Sequence, residues 1–150
     1  MTLGYGARMV RLEDVAQMVA ELPEVVEGER YGNRTWSVGK KAFAWERDFS
    51  KADIRRFGDA PVPDGPIVAV QVADLGEKEA VLAAPPKGFF TIPHFDGYAA
   101  VLIQLKVATK RDVREALVDA WLAQAPDALA DEYLARKKAP TVRRGAARRR

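Results

Sequence analysis

Arg34 to Phe49 read RTWSVGKKAFAWERDF. Apolar residues alternate on both sides of Gly-Lys-Lys, the period-two pattern of a half-buried strand. Trp36 and Val38 point one way on a first strand, and Phe43, Trp45 and Arg47 share a face on a second. A two-residue loop at Gly39-Lys40 pairs Val38 with Lys41 and Trp36 with Phe43. Glycine at the first loop position suits a type II′ turn, where φ is positive. A loop at Lys40-Lys41 keeps the same faces but puts lysine where positive φ is costly, so the first register is preferred. The stretch therefore predicts a hairpin with its aromatics on one core face and lysine at its tip.

Outward from the hairpin, the period changes. Leu12, Val15, Val19 and Leu22 lie on one face of a helix that ends before Pro23. The link VVEGERYGN (25–33) reads as extended or turn-like. Ser50 with Asp53 forms a capping box for a short helical turn. Ile67–Ala73 is a β-branched strand, followed by a helix capped by Asp74 that runs to Ala84. FFTIPHFDG (89–97) is irregular. Tyr98–Val107 is apolar on nearly both faces, which predicts a central strand. Thr109 with Asp112 opens a helix to about Ala125 whose inner face holds Val113, Leu117, Ala120, Trp121 and Gln124. A last helix follows Pro126 and runs to about Lys138. This order predicts one α+β domain over residues 1–138, an antiparallel sheet with helices packed mainly on one face. Residues 139–150 form a basic segment without apolar periodicity, expected to be a disordered tail.

Composition narrows the chemistry. The chain has 150 residues, 48% of them hydrophobic, which suffices for a core, and no cysteine. Disulfides, thiolate catalysis and cysteine-based metal sites are thereby excluded. No apolar run approaches the roughly 20 residues that span a bilayer. With no secretory pattern at the start, a cytoplasmic location and no membrane partner are expected. The net charge of +3 hides a division. Residues 134–150 carry eight basic side chains and no acidic one, leaving residues 1–133 at −5. Within that body, residues 30–56 hold eight basic against three acidic residues, a local +5.

Catalytic and metal patterns are weak. Gly39-Lys40-Lys41 is not a Walker A loop: the glycine spacing is wrong, lysine replaces the Ser/Thr that would hold magnesium, and a strand follows instead of a helix. His94 is the single histidine, and no carboxylate cluster has ligand spacing, so neither a metal nor a cofactor is expected. No nucleophile elbow surrounds Ser37, Ser50 or Thr91. A non-enzymatic role is expected. The cations at the hairpin and just after it can meet a phosphate backbone, or they can simply keep the sheet end soluble.

Taken as a whole, LPEVVEGERYGNRTWSVGKKAFAW (22–45) resembles the N-terminal half of the MmcQ/YjbR-like family. The shared features are a helix ending in Leu22-Pro23, a glutamate-rich link over Glu24–Glu29, and a strand before the turn Gly39-Lys40-Lys41-Ala42-Phe43-Ala44. GFFTIPHFDGYAAVLIQL (88–105) resembles the family's approach to a late strand, with Tyr98 where many members carry tryptophan. ALVDAWLAQAP (116–126) and LADEYLARKK (129–138) resemble its closing helices. The resemblance covers about residues 10–138. It implies a frataxin-like α+β fold and a double-wing mode of DNA binding, with Lys40 and Lys41 matching the wing tip, and it implies no catalytic residues. The expected DNA contacts are Arg34, Lys40, Lys41, Arg47, Arg55 and Arg56, with Arg143, Arg144, Arg148, Arg149 and Arg150 from the tail, largely as non-specific phosphate contacts. The alternative is a protein- or small-ligand-binding module that works through the acidic body.

Overall fold

The structure, a computed structural model, describes residues 9–149, with side chains over 9–138. Its elements are helix α1 (Leu12–Ala20), strands β1 (Val26–Arg30), β2 (Asn33–Val38) and β3 (Lys41–Glu46), helix α2 (Lys51–Phe57), strand β4 (Ile67–Gln71), helix α3 (Leu75–Ala83), strand β5 (Phe89–Phe90), a 3-10 turn (Pro93–Phe95), strand β6 (Ala100–Gln104), and helices α4 (Lys110–Gln124) and α5 (Asp127–Arg149). The helical backbone of α5 thus continues past Lys138, where the sequence reading ended it. Side chains of the basic segment 139–150 lie outside the described residues.

Six strands form one antiparallel sheet in the order β1-β2-β3-β4-β6-β5. Val15 and Val19 of α1 and Val113, Leu117, Ala120 and Trp121 of α4 pack on one face, against Trp36, Val38, Phe43, Val68, Val70 and Ile103. The α+β fold with most helices on one face agrees with the pattern read from the sequence. The other face is covered over β4, β6 and β5 by a smaller cluster. There Phe49, Phe57 and Phe90 pack on Ile67, Ala69, Leu102 and Phe95.

Three local differences bear on the site. First, β1 is a paired strand where an extended or turn-like link was expected. All five of its residues are exposed, so it has no apolar alternation to announce it. Second, the β2–β3 loop is Gly39-Lys40 as expected, but both residues have positive φ, +56° and +68°. That is a type I′ turn, not II′. Third, the register shifts at Trp36/Ser37: Ser37 faces Ala42 and Trp36 faces Ala44, so Phe43 is the extra residue of a β-bulge. An extra residue reverses the alternation beyond it. Phe43 is buried under the helices while Trp45 packs with the opposite cluster. The aromatics therefore do not share one face.

The hairpin tip is braced. A Cβ on Gly39 would lie 3.0 Å from Cδ of Pro126, and Gln124 Nε2 donates to the carbonyl of Ala42 at 3.1 Å. Gly39→Ala adds a left-handed alanine to that contact. It should lower unfolding free energy by about 1–2 kcal/mol, read as a lower urea midpoint at unchanged slope. No loss of stability would mean the tip is not held against the start of α5.

Candidate nucleic-acid interface

Among the described residues, the expected cations fall into three groups. Lys40 and Lys41 stand exposed at the tip of the β2–β3 hairpin. Arg34 does not face outward with them. Its Nε donates to Glu27 Oε2 at 2.7 Å and its Nη1 to Glu13 Oε1 at 3.3 Å, and its guanidinium lies 5.5 Å from the centre of the Trp36 ring. The hydrogen bond from Arg34 holds the Glu27 carboxyl below its ordinary pKa despite partial burial. Trp36 Nε1 also donates to Glu27, so Arg34 belongs to a network on the helix-side face.

Arg47, Arg55 and Arg56 lie beyond the other end of β3. Arg47 lies six strand steps from Lys41, roughly 20 Å at the usual rise. Arg47 Nη1 pairs with Asp53 Oδ2 at 3.0 Å and also donates to the Asp48 carbonyl. Arg56 Nη1 is 3.8 Å from Asp53 Oδ1. Asp53 is buried, and Ser50 N and its own N–H with Ser50 Oγ complete the capping box expected there. Arg55 is exposed. Among the described residues, Lys40, Lys41 and Arg55 have no carboxylate partner within ion-pair distance.

Between these groups lies a cleft of about 690 Å³ on the sheet face away from the main helices. Its floor includes Thr35 and Ala42, which alternate with the buried Trp36 and Phe43, and Trp45, which the bulge turns toward this side. One wall is the segment from His94 to Tyr98, and the lip is the β1–β2 turn with Arg30 and Tyr31. Tyr98 sits 6.4 Å from Trp45 and 5.7 Å from Phe95 between ring centroids. Its hydroxyl donates to Gln71 Oε1 at 2.8 Å. Burial raises the pKa of that hydroxyl, against the pull of Arg30. Arg30, Tyr31, Asn33 and Tyr98 were not among the residues expected to bind. Gly32 followed by Asn33 was the available signal, since clustered Gly and Asn mark a turn.

The cleft wall is held by a residue from the far layer. Lys78 of α3 is buried and donates through Nζ to the carbonyls of Phe95 at 2.5 Å and Tyr98 at 2.7 Å. Burial lowers the pKa of this ammonium, opposed by Asp96. Lys78→Met should cost about 1.5–3 kcal/mol, the range for hydrogen bonds from a charged group. Amide exchange should speed up in residues 93–99 before the rest of the sheet. Uniform exchange across the molecule would refute the role assigned to Lys78.

A second concavity, about 580 Å³, lies between α3 and α4. Val70, Val72, Val81 and Leu122 line it, and Glu77, Asp112, Glu115 and Asp119 surround it. Burial, then Glu77 and Glu115, raise the pKa of Asp119. Among the described residues no three or more His, Asp or Glu side chains, these four included, are placed to hold a metal ion, and no helix is long and apolar enough to cross a membrane.

Residues 20–123 match the protein family described as YjbR. The chain is 44% identical over 130 residues to "Uncharacterized protein Rv2570" of Mycobacterium tuberculosis (strain ATCC 25618 / H37Rv), covering 85% of this chain and 98% of that protein. The same identity and coverage are found with "Uncharacterized protein Mb2600" of Mycobacterium bovis. No solved structure matches at a significant level.

Proposed function

The chain belongs to the YjbR family, and from that premise we propose that it is a non-enzymatic DNA-binding protein of the cytoplasm. What carries the reading is the set of exposed cations on rigid supports. Lys40 and Lys41 sit on a turn braced by Gln124 and Pro126, and Arg55 stands on α2 beyond the far end of β3. None of the three is engaged by a carboxylate among the described residues. Arg47 and Arg56 share one carboxylate, Asp53, and so leave a net positive charge, whereas Arg34 is offset by Glu13 and Glu27; the arginines of 143–150 add unspecific charge. Contacts of this kind go to phosphates and carry no sequence information of their own.

Fluorescence anisotropy with a labelled duplex, followed over a salt series, tests this. Each phosphate contact contributes about 0.9 to the slope of log K against log salt. Lys40→Ala with Lys41→Ala should flatten the slope by about 2, and deletion of 139–150 should flatten it further. No binding of any DNA at about 50 mM salt, where such contacts are strongest, would end the proposal.

The acidic concavity favours a second reading, a module for a protein or small ligand that joins an apolar body to a positive end. Asp119→Lys would then abolish binding of such a partner and leave DNA affinity unchanged.

A further inference from the structure

The cleft beside β1–β3 is more than a place where cations gather. Its surfaces are aromatic and its edge is charged. Trp45 and Tyr98 present partly exposed rings, and Tyr31 at the lip is 100% exposed. Tyr31 also holds a left-handed backbone, φ +53°, ahead of Gly32 at +80°. A bulky side chain is rarely found in that conformation, and a fully solvated aromatic gains nothing from burial. The backbone is what a two-residue type I′ turn between Arg30 and Asn33 requires, and the solvated ring is understandable where it meets a ligand. Arg30, next to Tyr31, brings a cation with no ion-pair partner among the described residues to the same opening, while Arg47, 5.5 Å from the Phe95 ring centre, is paired with Asp53, and Glu46 and Asp48 also line the cleft. His94 and Asn33 add hydrogen-bonding groups at the edge.

A planar group lying between the Trp45 ring and Tyr31 at the lip, with an anion beside Arg30, has the chemistry of a nucleotide. The volume of about 690 Å³ falls within the usual range for ligand pockets of about 300–1,000 Å³. A base held in a duplex has both faces stacked and cannot offer one to the pocket. An unpaired base can, because stacking needs only an open π-face. We propose that the cleft takes one unpaired base of single-stranded DNA, stacked against Trp45 with Tyr98 at its edge and covered by Tyr31, with its phosphate at Arg30. This rests on the DNA-binding reading and adds to it a preference for single strands.

The test uses the full chain with an oligothymidylate of about 12 nucleotides, within the site sizes of stacking surfaces, and a duplex of equal length. Binding is read by anisotropy and by intrinsic fluorescence. Trp36 and Trp121 are buried and Trp45 is not, so quenching on binding reports the cleft. The single strand should bind about tenfold tighter than the duplex, the effect of one stacked base. Trp45→Leu and Tyr31→Ser should each remove most of that difference and leave duplex affinity as it was. Tyr31 makes no core contact, so its variant decides the matter even if Trp45→Leu folds poorly. Equal affinity for both forms, or single-strand binding unchanged by Tyr31→Ser, overturns the base-stacking site while DNA binding itself stands. Failure to bind either form overturns both.

Discussion

Trp121→Ala should lower the unfolding free energy by about 3–5 kcal/mol, the range for removing a large buried aromatic. For a domain of this size that is a fall in melting temperature of roughly 6–20 °C. Trp121 is fully buried in the main cluster under the sheet. Its ring lies 5.0 Å from that of Tyr133 between centroids, which couples α4 to α5. Its Nε1 donates to the carbonyl of Pro23 at 3.0 Å, which ties α4 to the link between α1 and β1, far away in sequence. One truncation thus opens a cavity, releases a helix contact and frees a carbonyl. Trp121→Phe keeps most of the volume and loses the hydrogen bond, so about 1 kcal/mol should separate it from a pure packing change. Denaturant unfolding followed by circular dichroism measures both. A loss under about 1 kcal/mol for the alanine variant would mean that the site collapses freely and that Trp121 does not hold the layers together.

The inner face of α4 was legible because its period is strong and uninterrupted. Val113, Leu117, Ala120 and Trp121 recur at helical spacing, and all are buried. The caps were legible for the same local reason: Ser50 with Asp53, Asp74 before Glu77, and Thr109 with Asp112 all make the expected hydrogen bonds. The face of Trp45 was not legible. Phe43, the bulged residue, is flanked by Ala42 and Ala44, and alanine fits either side of a sheet. The reversal of phase therefore leaves no trace in the hydrophobic pattern. The cleft followed from that reversal and could not be assembled without it.

Charge was harder to read than packing. The sequence displays every cation but not its distance from a carboxylate. Arg34 looked free because Glu27 and Glu13 sit elsewhere in the chain, yet both bind it. The aromatic lip was hidden in another way. All of β1 is exposed, so neither its pairing with β2 nor the turn that raises Tyr31 has a hydrophobic signature. The double-wing expectation drew on Lys40 and Lys41. Geometry adds a second hairpin tip, Tyr31-Gly32, on the opposite end of β2 from the first.

Asp53→Ala should cost about 3 kcal/mol, the low end for breaking a buried ion pair, because Arg47 keeps some access to water. The carboxylate is 1% exposed against 17% for its partner. Burial alone would raise the pKa of Asp53. The hydrogen bond from the Ser50 backbone and the pairing with Arg47 outweigh it and hold the group below the ordinary value of 3.8. A carboxyl depressed in the folded state contributes stability above its unfolded pKa and loses it as pH falls through the folded one. The wild-type protein should therefore lose stability on acidification below about pH 4, and Asp53→Asn should show a flatter acid limb. The consequence for the site is direct. Arg47 is held over Phe95 by Asp53, so Asp53→Asn frees a guanidinium at the mouth of the cleft. On the DNA-binding proposal, affinity at low salt should rise or stay level in this variant even as stability falls. Loss of both together would mean that Arg47 acts only in its paired position.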